Sequence, residues 1–288
     1  MATTHYLIHL TDTHLKAPQQ KPFLNVDAAA KLRAVFAQVK TLSIAPSCFI
    51  ISGDLTHEGD TDDYRYLRQL LGEELSAFNV PALVALGNHD HRAAFREGFL
   101  GEAASEAPYY YSTQLGGLRV IVLDSQIEID DKVEGRLDAA QLAWLGDQLT
   151  RPAPDGTLLV LHHPPHPNTH PLLQSHLLTN ASALADVIAG TDVIGVLSGH
   201  IHFNSIALFA GVPSAAGMGI AFNLDPSTAR SMRFIDSAGY NLVMVREGQM
   251  IVQPMPLPGA HAELYHWHID GSLDHMAEGR EALPSQLK

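Results

Sequence analysis

Short uninterrupted apolar runs alternate along the chain with segments whose apolar residues recur at three- and four-residue steps. Tyr6-Leu7-Ile8-His9-Leu10, Cys48-Phe49-Ile50-Ile51, Pro81 to Leu86, Leu118 to Leu123, Thr157 to Leu161 and Val193 to Leu197 have the length and continuity of strands covered on both faces. Between them, Leu32, Val35, Phe36, Val39 and Leu42, then Tyr64, Leu67, Leu70, Leu71 and Leu75, then Leu142, Trp144, Leu145 and Leu149 mark amphipathic helices over 26–42, 60–75 and 138–149. His91 to Leu100 and Asn180 to Ala189 read as shorter helices, and Tyr109 to Leu123 as a hairpin turning at Gly116-Gly117. Strand and helix in alternation predict a layered α/β domain. Further strands are expected at 205–210, 241–246 and 250–254, separated by a stretch from Gly211 to Gly239 that reads as a long excursion with little core. From Leu257 onward the chain is polar and aperiodic. The expected organisation is one catalytic domain over 1–258 and a tail over 259–288 that packs on the core or at an oligomer interface.

The polar residues that interrupt this pattern are not scattered. Thr11-Asp12-Thr13-His14, Ser52-Gly53-Asp54, Gly87-Asn88-His89-Asp90, His162-His163-Pro164-Pro165 and Ser198-Gly199-His200-Ile201-His202 each leave the end of an apolar run. Any one of them alone reads as a turn or a helix cap, since Gly, Asn and Asp are the residues that turns require. Five together at the same ends of strands read differently, because an α/β sheet carries its ligand site beyond the carboxyl ends of its strands. Asp12, His14, Asp54, Asn88, His162, His200 and His202 are oxygen and nitrogen donors without a thiolate, a set suited to manganese, iron, cobalt or zinc. Seven donors exceed one tetrahedral ion. They suffice for two ions if one carboxylate bridges. His89 can transfer a proton near neutral pH, and Asp90 is placed to orient its imidazole. Asp124-Ser125 also ends a strand, but without a nearby histidine it reads as structural.

Composition narrows the partners. The 288 residues carry 31 acidic and 18 basic side chains, a formal charge of -13, with no run of Lys and Arg to track a nucleic-acid backbone. Long nucleic acid is therefore not an expected partner. Two divalent ions with Asp12 and Asp54 leave the site about +2, a local positive centre in an acidic protein and a place for a small phosphate ester. Cys48 is the sole cysteine, no apolar run reaches membrane-spanning length, and the start lacks a secretory pattern, so a cytoplasmic protein without membrane contact is expected.

Taken in chain order, Asp12-x-His14, Gly53-Asp54, Gly87-Asn88-His89-Asp90, His162-His163 and Gly199-His200-x-His202 resemble the signature of the calcineurin-like metallophosphoesterases. Gly87 to Arg92 with Phe95, and His162-His163-Pro164-Pro165, resemble more narrowly the bacterial class III cyclic-nucleotide phosphodiesterases and the glycerophosphodiesterases. The phosphoprotein phosphatases follow the central Gly-Asp with Asp-Arg-Gly, whereas Leu55-Thr56-His57-Glu58 stands here. The resemblance implies a four-layer αββα sandwich of two mixed sheets flanked by helices. It implies two transition-metal ions, the first held by Asp12, His14 and His202 and the second by Asn88, His162 and His200, with Asp54 bridging. His89 is the implied catalytic histidine, and Asp90, Arg92 and His163 would face substrate or support the ligands. The implied reaction is hydrolysis of a small phosphodiester by a metal-bridging hydroxide attacking in line. A 3',5'-cyclic nucleotide such as cAMP comes first, and a glycerophosphodiester or a broader range of diesters and monoesters second. A scaffold without turnover is the contrasting reading, set aside because every ligand position is filled. A homodimer is left open.

Overall fold

In the computed structural model, residues 3–127, 133–227, 231–259 and 261–268 are described. The first sheet has the order β13-β12-β1-β2-β3, built from β1 (Thr4–Leu10), β2 (Cys48–Ser52), β3 (Ala82–Ala85), β12 (Gly239–Arg246) and β13 (Gln249–Pro256). The second has the order β4-β5-β6-β7-β9-β8, from β4 (Tyr111–Leu115), β5 (Leu118–Val122), β6 (Thr157–Val160), β7 (Val193–Ser198), β8 (Ser205–Phe209) and β9 (Val212–Ala216). Both are mixed. The β1-β2-β3 and β5-β6-β7-β9 pairings are parallel, while β12, β13, β4 and β8 join antiparallel.

The two-residue period of the strands divides their side chains among three cores. Ile8, Leu10, Phe49, Ile51 and Val84 face outward onto α1 (Ala28–Val39) and α2 (Thr61–Leu75), meeting Leu32, Val35, Phe36, Leu67 and Leu70. Their sequence neighbours Leu7, Cys48, Ile50, Leu83 and Ala85 face inward, against Val120, Val122, Leu158, Val160 and Leu197 of the second sheet. Ile121, Leu159 and Val196 face the other way, onto Leu145 and Leu149 of α4 (Ala139–Leu149) and Leu184 and Ile188 of α5 (Ala181–Ile188). The result is the four-layer αββα sandwich. Asp27 and Asp138 cap α1 and α4 by accepting from the Ala30 and Gln141 amides, which fixes where those helices start. A four-residue helix α3 (Arg92–Phe95) runs into a π-turn over Arg96–Leu100 beside α2.

The stretch from 211 to 239 overturns its reading as a coreless excursion. It contributes β9, and then β10 (Asn223–Asp225) and β11 (Ser231–Asp236), which form a small antiparallel sheet with β14 (Ala262–His268). Ile220, Ala221, Phe222, Met232 and Phe234 are buried in the outer core of the first sheet, and Leu264 and Tyr265 of β14 pack against it. The tail residues 269–288, including His275, lie outside the described residues. Among those described, no helix is long and apolar enough to cross a membrane.

Candidate metal centre

Because β1, β2 and β3 run parallel, and β6 and β7 run parallel in the facing sheet, their carboxyl ends meet at one edge of the sandwich. Backbone hydrogen bonds carry the ladder past the strand ends. The Asp12 amide donates to the Gly53 carbonyl at 3.1 Å and the His14 amide to the Asp54 carbonyl at 3.0 Å, so the two loops stay in register as they leave the sheet. Across the sandwich, the His200 amide donates to the Asp12 carboxylate at 3.0 Å.

Five of the seven expected ligands sit in left-handed backbone: Asp12 (φ 52°), His14 (φ 40°), Asp54 (φ 48°), His200 (φ 72°) and His202 (φ 52°). Such a conformation costs a residue with a Cβ roughly 1–2 kcal/mol, and its concentration here marks a site whose geometry the surrounding fold enforces. Gly87 is glycine because of a close approach between loops. A Cβ there would stand 2.2 Å from Asp54 Oδ1 and 2.4 Å from its amide nitrogen, so only a bare backbone lets the third loop approach the second.

The donors converge in two halves. Asp12, His14, Asp54 and His202 form one buried cluster, with Asp12 Oδ1 3.3 Å from His202 Nε2 and His14 Nε2 3.2 Å from the same nitrogen. In the other half His162 Nε2 lies 3.2 Å from Asn88 Oδ1, and the rings of His162 and His200 are 4.9 Å apart. Asp54 belongs to both: its Oδ2 is 3.5 Å from His14 Nε2 and 3.4 Å from His162 Nε2, while its Oδ1 accepts from the His89 amide at 2.9 Å.

Hydrogen bonds on the far nitrogens decide which ring atoms carry lone pairs. His162 Nδ1 donates to the Ser52 carbonyl at 2.8 Å and His202 Nδ1 to the Phe222 carbonyl at 2.9 Å, leaving Nε2 of each free to ligate. His200 Nε2 donates to the Val133 carbonyl at 2.7 Å, which turns its Nδ1 into the acceptor. This set of two carboxylates and imidazole lone pairs, all buried, with a half-exposed amide oxygen fits a divalent metal centre. The electrostatics agree. Burial opposes ionisation of Asp54, but His162, His89 and His14 outweigh it and hold its carboxyl well below the usual carboxylate range. Burial likewise opposes a charge on His162, yet Asp54 and then Asp12 push it up to about 9.

The residues expected beside the ligands divide. His89 lies where the sequence suggests, its ring 4.7 Å from that of His14, but Asp90 does not orient it. The His89 Nδ1–H donates instead to the His57 carbonyl at 2.9 Å. Asp90 is turned into the fold, where its carboxylate accepts from the Gly87, Leu55 and Thr56 amides at 2.8, 3.1 and 3.3 Å and from the Tyr64 hydroxyl at 2.9 Å. It ties the β2 and β3 loops together, although burial and the nearby Asp54 charge push its carboxyl up to about 7. Arg92 is likewise buried. Its guanidinium forks onto Asp124, Nε to Oδ2 at 2.8 Å and Nη2 to Oδ1 at 3.1 Å. His163 Nδ1 shares a hydrogen bond with Ser125 Oγ at 2.8 Å; its Nε2 is buried without a hydrogen-bond partner among the described residues, and its ring is 4.6 Å from that of His200.

His57 is the residue the sequence reading passed over. It lies three positions after Asp54, at the end of the loop that leaves β2, and its Nδ1 meets His14 Nδ1 at 3.1 Å. Burial pushes its imidazole down to about 3, so it is neutral. A histidine in a loop already carrying a ligand was the available signal. A cavity of about 310 Å³ opens beside His14, lined among others by Lys16, Gln20, Phe23, Asn25 and Tyr66.

Fold and donor set together define a metallophosphoesterase. The model of the calcineurin-like phosphoesterase family matches residues 5–204, and the chain belongs to that family. It is 39% identical over 259 residues to a probable cyclic nucleotide phosphodiesterase of Rhodococcus erythropolis, covering 89% of this chain and 85% of that one. It is 35% identical over 257 residues to a cAMP/cGMP dual specificity phosphodiesterase of Mycobacterium tuberculosis, covering 88% and 80%. Among solved structures, a dimetal phosphatase from Danio rerio superposes with a TM-score of 0.58 at 16% identity over 86% of this chain and 98% of that one, a likeness of fold.

Proposed function

We propose that this chain is a binuclear phosphodiesterase that hydrolyses 3',5'-cyclic nucleotides, cAMP first among them. The observation that carries the reading is Asp54, whose Oδ2 stands at near-equal distance from a histidine of each donor half. On this reading Asp12, His14 and His202 hold one cation, Asn88, His162 and His200 the other, and Asp54 is shared. The donor chemistry suits manganese, iron, zinc or cobalt. When bound, such ions neutralise phosphate oxygens and lower the pKa of coordinated water.

The chain's own residues supply the rest. The Asp54 carboxylate is aimed by the His89 amide, and Asp12 by the Thr11 hydroxyl at 2.8 Å and the His200 amide, so neither acid must reorganise when a phosphate arrives. With its Nδ1–H committed to the His57 carbonyl, His89 can deliver a proton only from Nε2, to the oxygen that leaves phosphorus. In a cyclic nucleotide that oxygen is the ribose 3'-oxygen, a basic leaving group that gains from protonation. Asn88 and His89 are half-exposed while the other ligands are buried, so a small ester reaches the centre from their side. The cavity beside His14, within the range of small-molecule pockets, gives room for the nucleoside part. The identities with named cyclic-nucleotide phosphodiesterases favour that class of diester. A single buried cysteine is compatible with the reducing cytoplasm, where such a substrate would be met.

The test is a panel assay of the manganese-loaded chain against cAMP, glycerophosphocholine and a nitrophenyl phosphate monoester. The highest kcat/KM is expected on cAMP, with AMP as product. A monoester turned over faster than either diester would overturn the reading.

A further inference from the structure

The three histidines His162, His202 and His200 each give their outward-facing nitrogen to a backbone carbonyl, which can only accept. His14 is held differently. Its Nε2 is the atom turned toward Asp54 Oδ2 and His202 Nε2, and among the described residues its Nδ1 meets no carbonyl but the Nδ1 of His57, at 3.1 Å. An imidazole whose Nε2 binds a cation carries its hydrogen on Nδ1, and that hydrogen needs an acceptor when buried. We propose that His57 is a positioning residue for the metal centre, with its unprotonated Nδ1 accepting the His14 Nδ1–H and so fixing His14 with its Nε2 lone pair on the cation. The proposal rests on the reading of Asp12, His14, Asp54 and His202 as the first metal's ligands.

Burial and two ring contacts hold His57 in that role. It is 5% exposed, Phe23 stacks on its ring at 3.9 Å and an interplanar angle of 29°, and the His89 ring lies parallel on it at 5.0 Å. The same residue gives its carbonyl to His89 Nδ1. One residue therefore sets the orientation of a ligand through its side chain and of the proton-transferring histidine through its backbone. Only the first depends on the side chain being His, which makes the two separable by substitution.

For His57 to accept at Nδ1, its own hydrogen must sit on Nε2, and this is visible without turnover. In zinc-loaded protein with 15N-labelled histidine, long-range 1H–15N spectra should show His14 protonated at Nδ1 and His57 unprotonated at Nδ1. A hydrogen on His57 Nδ1 would overturn the proposal, and this measurement needs no variant. In chelator competition, His57→Phe, which keeps the ring stack but removes the acceptor, should weaken zinc at one of two sites by roughly 10- to 100-fold. His57→Asn, whose amide oxygen replaces Nδ1, should stay close to wild type. Equal loss in both variants, or none in His57→Phe, would show that His57 only packs. A wild-type chain that binds zinc with His14 unligated would instead refute the assignment of the first site and take the proposal with it.

Discussion

Replacing Asp90 separates two roles that its place after His89 makes easy to confuse. If it oriented the imidazole, Asp90→Asn would lower the catalytic rate and leave stability alone. The structure has three of its four acceptor contacts made instead with the loops that carry Asp54 and Asn88, and the fourth with Tyr64 of α2. Hydrogen bonds to an ionised group contribute about 1.5–3 kcal/mol each, and a buried donor left unmet costs about 1–3 kcal/mol. Asp90→Ala strands the amides of Gly87, Leu55 and Thr56, a loss of roughly 3–9 kcal/mol against the 5–15 kcal/mol that holds an average domain together. Asp90→Asn is milder. Its amide group can turn toward the Tyr64 hydroxyl, which rotates to accept, so one backbone donor is left unmet and three bonds lose their charge. We expect a loss of about 2–5 kcal/mol, read as a lower urea midpoint at unchanged slope. Asp90→Ala should be recovered poorly folded. A loss under about 1 kcal/mol in Asp90→Asn, accompanied by a large fall in kcat, would refute the structural role.

His89→Ala should keep both ions and lose on the order of 10²- to 10⁴-fold on cAMP but far less on bis-nitrophenyl phosphate, whose leaving group needs no proton. Equal losses on the two substrates would limit His89 to positioning. Gly87→Ala, which drives a Cβ into Asp54, should reduce metal content while Gly72→Ala, with open space around it, should not; equal metal content in both would contradict the close approach. Burial pushes His9 down to about 3, below its value near 6.5 in the unfolded chain. Unfolding therefore takes up a proton as pH falls through 6.5, and stability should drop by roughly 2–3 kcal/mol from this group by pH 4.5. His9→Gln should flatten that slope by about one proton, and an unchanged slope between the same pH values would show the group titrates normally.

The strands and the ligand loops were legible in the sequence for one physical reason. A buried parallel strand is a continuous apolar run, so the first polar residues after it announce both its end and the edge where a site forms. Asp12, Asp54, Asn88, His162 and His200 all stand within two or three residues of such an end. What adjacency in the chain did not give was the partner of a side chain. Asp90 follows His89 yet turns into the fold, Arg92 finds Asp124 across the sandwich, and His57 reaches His14 from another loop. The core of 211–239 was hidden because Ile220, Phe222, Met232 and Phe234 are dispersed among Gly and Ser, and the strand that holds Met232 and Phe234 belongs to a small sheet completed by β14.

The shared carboxylate is the centre of the account, and anomalous diffraction from manganese-loaded crystals tests it most directly. Two peaks should appear per chain, about 3.5 to 4 Å apart and on either side of the Asp54 carboxylate, one against His14 and His202 and the other against Asn88 and His162. A single peak in a fully active preparation, or two that Asp54 does not join, would contradict it.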